Sequence, residues 1–278
     1  METIRLATFN LWWRLGDADR RQPAITSVLR RAQPDIVGLQ EVWCRDNVHL
    51  AGQLAAELGF HTAWATADDP SHWHGRGHDD YGIGNAILSR WPIDSVDTIP
   101  LPPGNEPNES RFAISAVVET PFGRQRVTNV HLNAGWWQNE LRRAQLRHLI
   151  TWLADTEGED LPMALVGDFN AGPDFDEMRP LTNRAAPYDP RLALVDSWEC
   201  INPQDPGYTW DRSNPNRPSG EASYRIDYVF VGQDRADGVG RVRSSERLGT
   251  HPVEGVVASD HLGVVTEIQA RPTLAPPR

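Results

Sequence analysis

A chain of 278 residues with 39% hydrophobic and 23% charged residues has the make-up of a folded globular protein, which excludes a disordered or fibrous one. Its 27 Lys and Arg against 38 Asp and Glu give a formal net charge of -11, so nothing in the total points to the broad basic face that grips long nucleic acids by counterion release. Cys44 and Cys200 are too few for a disulfide framework or a zinc-thiolate centre and read as small buried apolar residues. No window approaches the about 18 continuous apolar residues of a membrane span, and Glu2 and Arg5 interrupt the stretch where a signal peptide needs an apolar core. A cytoplasmic monomer is the default expectation.

In chain order, residues 4–9 read as a strand and residues 35–39 as a short buried strand entered from Pro34. Between them Ile25, Val28 and Leu29 have the spacing of one helix face over residues 24–32. Leu50, Leu54, Ala55 and Leu58 repeat that spacing, and Gly59 is a stop signal. Residues 86–88, 113–118 and 126–132 read as strands, the last two joined as a hairpin through Pro121, Phe122 and Gly123. The clearest helix runs from about Asn139 to Ala154, with Leu146, Leu149, Ile150 and Leu153 on one face. Strands follow at 163–166, 224–231 and 262–268. Strands and helices alternate without a composition break, which fits one α/β domain over residues 1–270 and a frayed tail over 271–278.

Polar residues end these apolar strands. The first runs into Asn10, the second into Gln40 and Glu41, and the 126–130 run into His131 and Asn133. The 163–166 strand runs into Asp168 and Asn170, the 224–231 strand carries Asp227, and Ser259, Asp260 and His261 open the last one. Each residue alone has an ordinary reading: Asn10 as a turn cap, Glu41 as a solvated helix start, Asp227 as the partner of Arg225. Together they form a set of hard oxygen donors that suits Mg²⁺ or Mn²⁺ better than zinc, with two histidines for proton transfer or charge stabilisation.

In this order the segments TFNL (8–11), LQE (39–41), NVHL (129–132), GDFN (167–170), RIDYVF (225–230) and SDH (259–261) resemble the endonuclease/exonuclease/phosphatase superfamily over roughly residues 3–269. The resemblance implies a four-layer α/β/β/α sandwich of two packed mixed sheets flanked by helices. It implies Glu41 as the principal metal ligand with Asn10 and Asp260 on the metal side, and a bound Mg²⁺ or Mn²⁺. Asp168 is implied as the group that orients or deprotonates water, Asn170 as its phosphate-contacting neighbour, and His261 as the histidine beside the scissile phosphate, oriented by Asp227. His131 matches the second histidine of the deoxyribonuclease and sphingomyelinase branches, and Arg111 a phosphate-contacting arginine. One departure stands out: where the deoxyribonuclease branch pairs a glutamate with that second histidine, this chain offers Asn85, which stabilises an imidazolium less.

The segment 68–82 holds His72, Trp73, His74, Arg76 and His78 and reads as a rim loop rather than a transition-metal site, and Trp136 and Trp137 form a second aromatic rim element. The expected activity is Mg²⁺-dependent hydrolysis of a phosphodiester by in-line attack of water. The alternative is a DNA or RNA nuclease, which needs Arg76, Arg111, Arg142 and Arg143 along one groove. A binding module without chemistry is the third reading, and the completeness of the polar set argues against it.

Overall fold

The computed structural model describes residues 2–67, 75, 77–104, 110–156 and 158–272. Two mixed sheets stack face to face, with helices on their outer faces. The first sheet has the order β12(Val242–Leu248), β13(Gly263–Gln269), β1(Thr3–Asn10), β2(Ile36–Arg45), β5(Gly82–Ser89), β4(His61–Thr66), with the short β3(Val48–His49) against β2. The second has the order β10(Leu194–Asp196), β11(Asp227–Gly232), β9(Ala164–Asp168), β8(Gly123–His131), β7(Phe112–Thr120), β6(Ile93–Pro100). Helices α1(Ala18–Ala32) and α2(Leu50–Leu58) cover the first sheet, and α3(Asn139–Asp155) the second; the short α4(Ser197–Ile201) follows β10. This is the expected four-layer sandwich.

Three apolar layers hold it together, and the period of two along each strand sorts residues between them. Ile4, Leu6, Ile36, Val127, Ala164, Val166, Val229 and Val231 pack between the sheets. The intervening residues Ala7, Phe9, Val37 and Leu39 face α1 and α2, while Val130, Leu165 and Phe230 face the α3 side. The same alternation carries the polar residues: Thr8 and Asn10 continue the row of Ile4 and Leu6, His131 that of Val127 and Asn129, and Asp168 that of Ala164 and Val166. Each inter-sheet row therefore turns from apolar to polar at one end of the sandwich.

Just inside that end a buried polar tie joins the sheets. Asn129 Nδ2 donates to the Leu39 and Ala86 carbonyls at 2.9 Å each, and Gln40 Nε2 donates to Asn129 Oδ1 at 2.6 Å and Thr8 Oγ1 at 3.0 Å. Losing one such partner would strand a buried polar group at a cost of about 1–3 kcal/mol, so the tie fixes how β8 sits over β1 and β2. Gly38 makes the close approach possible: a Cβ there would lie 2.6 Å from Val166 Cγ2 and 2.8 Å from Asn129 Cγ.

Most long strands and α2 and α3 match the sequence reading to within a few residues, but β2 continues six residues past the expected end at Leu39, through the bulge between Leu39 and Val42 to Arg45. Helix α1 starts six residues before the expected 24, because the Asp17 carboxylate accepts from the Arg20 N–H and starts the first turn there. β11 begins at Asp227 rather than 224; Tyr224 makes only an isolated bridge to Trp210. β4, β6, β10 and β12 had no clear sequence signature, and β6 shows why: of its eight residues only Ile99 is buried, so no alternation marks it. The cysteines are a correction, since Cys44 is half-buried and Cys200 exposed. Residues 72, 73, 74 and 76 of the histidine loop, and 273–278 of the tail, lie outside the described residues. His78 packs edge-on against Trp13 and Tyr81, with ring centroids 6.0 and 5.9 Å apart. Among the described residues no helix is long and apolar enough to cross a membrane.

Candidate active site

The polar ends of the inter-sheet rows line a cleft of about 270 Å³ at one edge of the sandwich. Asp168 lies at its centre. Register places it opposite His131 across the parallel β8–β9 pair and opposite Asp227 across the antiparallel β9–β11 pair. The loop carrying His261 arrives from the other sheet, just before β13. Ser259 holds that loop: its hydroxyl donates to the Asn10 carbonyl at 2.7 Å and accepts from the His261 N–H at 3.2 Å.

Both histidines aim Nε2 at the same oxygen. His131 Nε2 is 3.6 Å and His261 Nε2 3.7 Å from Asp168 Oδ2. Their Nδ1 atoms meet opposite partners. His261 Nδ1 lies 3.0 Å from Asp227 Oδ2; burial opposes charge on its ring, but Asp227, Asp168 and Asp260 together hold its pKa well above the usual 6.5. His131 Nδ1 faces the Arg111 guanidinium at 3.0 Å; burial, then Arg111 and His261, hold its pKa well below 6.5. Arginine can only donate, so His131 is neutral, with Nδ1 accepting and the proton on Nε2.

Asp168 itself is pushed up to about 7 by burial and by Asp227, against the pull of His261, Asn10 and the Asn170 N–H. The Asn170 N–H donates to its Oδ1 at 2.9 Å, and the Asn170 side chain donates to the Leu132 carbonyl at 3.0 Å. Gly167 allows this corner: its φ of 148° is glycine-like, and a Cβ there would collide with the Val130 carbonyl.

The other wall carries Glu41 and Asp260. Glu41 sits at a φ of 52°, in the bulge where the β2–β5 register shifts between Leu39 and Val42, which turns its carboxylate out of the strand row into the cleft. Asn10 Nδ2 donates to Asp168 Oδ2 at 2.9 Å and Glu41 Oε1 at 3.3 Å, while its Oδ1 accepts from the Trp12 N–H at 3.0 Å. Three partners fix this amide with its donor toward both carboxylates, so Asn10 spaces and orients them, and its Oδ1 keeps a second lone pair beside the acidic wall. Burial pushes Asp260 up to about 7, with Glu41 adding to the shift and His261 and Arg21 opposing it. A buried Asp260 whose proton affinity the neighbouring Glu41 raises makes, with Glu41, a hard-oxygen site that gains from a divalent cation, so the donor set fits Mg²⁺ or Mn²⁺. Asp168, Asp227 and His261 form a second group, with ligand atoms within 4.8 Å of one another. There the imidazolium already supplies the positive charge.

Several expected residues take other places. The Asn85 amide donates to the Phe112 carbonyl at 3.2 Å, and the group on the His131 ring is Arg111. Trp136 lines the cleft, packed on Tyr224 and Phe175 at 5.1 and 6.3 Å, whereas Trp137 is 79% exposed and outside the lining. Arg225 pairs with Asp196 at 2.6 Å, which leaves Asp227 to His261. The arginine groove does not form, because Arg142 is fully buried against Glu177 at 2.7 Å. Sequence reasoning missed Arg21, which reads as a surface helix residue. Its guanidinium is buried and donates to the carbonyls of Leu11, Trp12, Trp13, Leu15 and Ala258, tying the Asn10 loop to the Asp260 loop. It also missed Trp12 and Trp210 as rim residues. Trp210 packs on the His261 ring at 4.9 Å and donates to Glu221 at 2.8 Å.

Known proteins share this frame. A rat protein, Nocturnin (Rattus norvegicus), is 26% identical over 266 residues, which is 90% of this chain but only 58% of Nocturnin's length. An endonuclease/exonuclease/phosphatase from Beutenbergia cavernae superposes with a TM-score of 0.73 at 24% identity, over 97% of this chain and 72% of that one. Danio rerio TDP2 complexed with a single-strand DNA product superposes with a TM-score of 0.74 at 19% identity, over 96% of this chain and 99% of that one. At these identities the two structures show a shared fold. The Endonuclease/Exonuclease/phosphatase family model matches residues 7–261, nearly the whole chain. This chain therefore belongs to the Endonuclease/Exonuclease/phosphatase family.

Proposed function

We propose that residues 1–270 form one catalytic domain that hydrolyses a phosphodiester by in-line attack of water, with Mg²⁺ or Mn²⁺ held by Glu41 and Asp260. The observation that carries this reading is the convergence of two imidazole Nε2 atoms on one aspartate oxygen, one ring backed by Asp227 and the other by Arg111. A bound divalent ion would neutralise charge on the phosphoryl oxygens. Asp168, with a pKa of about 7, is basic enough to take a proton from water and still ionised in part at neutral pH. His261, kept as an imidazolium by Asp227, donates from Nε2 to a phosphoryl oxygen as negative charge develops. His131 donates from Nε2 as a neutral ring, and Arg111 both fixes that tautomer and borders the space where the phosphate would sit. Asn170 holds Asp168 in orientation, and Trp136 offers a flat apolar surface to the organic part of the ester.

The test is turnover of a generic chromogenic phosphodiester. EDTA is expected to abolish it, Mg²⁺ or Mn²⁺ to restore it, and Glu41→Ala to weaken metal binding together with turnover. Full activity in excess chelator overturns the reading. The Danio rerio relative bound to single-strand DNA supports a nuclease as the second reading. The two separate by salt: with Arg142 buried and few cations at the cleft, log K against log[salt] on duplex DNA is expected to have a slope of magnitude about 2 or less, where six phosphate contacts would give about 5.

A further inference from the structure

A second concavity, of about 540 Å³, has a lining that includes Arg143, Arg147, Arg179, Asp176 and Tyr188. Its lining carries three guanidinium groups and one carboxylate in a chain whose net charge is -11. Arg143 and Arg147 are i, i+4 neighbours on α3, a spacing that puts like charges side by side and costs stability unless an anion sits between them. The internal counter-charges are weak. Arg143 lies 3.9 Å from both Asp176 and Glu140, each of which is largely exposed. Arg179 donates to the Arg184 carbonyl at 3.3 Å, and neither Arg147 nor Arg179 has a carboxylate within 4 Å among the described residues. Tyr188 is pinned from below by donating to the Glu177 carbonyl at 2.8 Å, so this wall is fixed.

Chain continuity links the concavity to the rim of the catalytic cleft. Trp136 of the rim packs on Phe175, and Asp176 and Arg179 follow Phe175 in the chain, while α3 begins three residues after Trp136. We propose that the Arg143–Arg147–Arg179 concavity is an anion site for a second phosphate of the substrate, so that the preferred ester carries a further phosphate beyond the one hydrolysed. The chemistry is that of guanidinium forks, which pair with phosphate oxygens through two parallel N–H donors. The substrate assignment rests on the phosphodiesterase reading of the cleft; the anion site does not.

Calorimetric titration of inorganic pyrophosphate into the metal-free full chain tests the site directly. Both substituted side chains are exposed, so Arg147→Ala/Arg179→Ala leaves the fold intact, and it is expected to weaken pyrophosphate binding by about tenfold or more. Arg111→Ala, in the cleft, is expected to spare that binding event. Unchanged pyrophosphate affinity in the double variant overturns the site. Kinetics then test its use: the double variant is expected to raise KM about tenfold for a nitrophenyl phosphodiester bearing one additional phosphate, with kcat unchanged, and to leave the unphosphorylated diester unaffected. An equal effect on both diesters overturns the substrate assignment. If the wild-type chain turns over neither diester, the cleft reading fails, while the pyrophosphate titration still decides the anion site.

Discussion

His131 and His261 make a controlled comparison inside one cleft. They are 5% and 6% exposed, and each points Nε2 at Asp168 Oδ2 from nearly the same distance. Burial pushes both toward neutrality, yet one ends well below the ordinary imidazole pKa and the other well above it. The chief difference is the group on Nδ1, to which Asp168 and Asp260 add at His261. A guanidinium adds to the effect of burial at His131, and a carboxylate overrides it at His261. Charge state at this site is thus set chiefly by the far side of each ring, away from the reacting atoms.

The largest effect expected on this comparison comes from removing its shared focus. Asp168→Asn and His261→Ala should each lower kcat by at least about 10²-fold, because both groups act on the transition state. Steady-state rates within tenfold of wild type would show that Asp168 is not where the two rings meet the reaction. Next comes Asp227→Asn, which leaves His261 buried without its carboxylate. Its imidazolium should then lose its proton at lower pH, moving the alkaline limb of the pH–rate profile downward and cutting kcat by about 10-fold to 10²-fold. Imidazole ¹⁵N shifts give the same pKa independently, and a profile identical to wild type would break the Asp227–His261 pairing.

Arg111→Met sharpens the other half. Without the guanidinium, His131 should titrate at higher pH by NMR, while KM rises by about tenfold through loss of the phosphate contact. A fall in the His131 pKa would mean that Arg111 is not what keeps the ring neutral. The smallest effect lies on the acidic wall. Asp260 has a folded pKa of about 7 against an unfolded value near 3.8, so its contribution to stability is complete below about pH 4 and is lost as pH rises through 7. Relative to Asp260→Asn, metal-free wild-type protein should therefore lose several degrees of Tm between pH 5 and 8, and Mg²⁺ should return them. Calorimetric scans at the two pH values, with and without the ion, check both signs.

Most of the cleft's acids and imidazoles could be read from the chain because each breaks a period-two apolar row at its end, and a polar residue in that position is visible without coordinates. His131, Asp168 and Asp227 are of this kind, and the amide Asn10 ends its row in the same way. Their partnerships were not legible. Arg225, two residues from Asp227, is the obvious local partner, but it precedes β11 and pairs with Asp196. Asn85 lies on the strand expected to face His131, yet its amide is taken by the Phe112 carbonyl.

What the sequence determined by itself was the alternation of apolar and polar residues along each strand, the helix faces of α2 and α3, and the ordered polar set, since these depend on neighbours a few positions apart. The tertiary structure alone decided which groups meet across large separations. Arg111 reaches a histidine 20 residues away, His261 an aspartate 34 residues back, and Asn10 an aspartate 158 residues on. It also decided that Arg21, outwardly a surface helix residue, is buried and gathers five loop carbonyls beneath the acidic wall. The reason is that pKa and hydrogen bonding respond to charges and partners within a few ångströms, and in a sheet sandwich those neighbours come from strands and loops far apart in the chain.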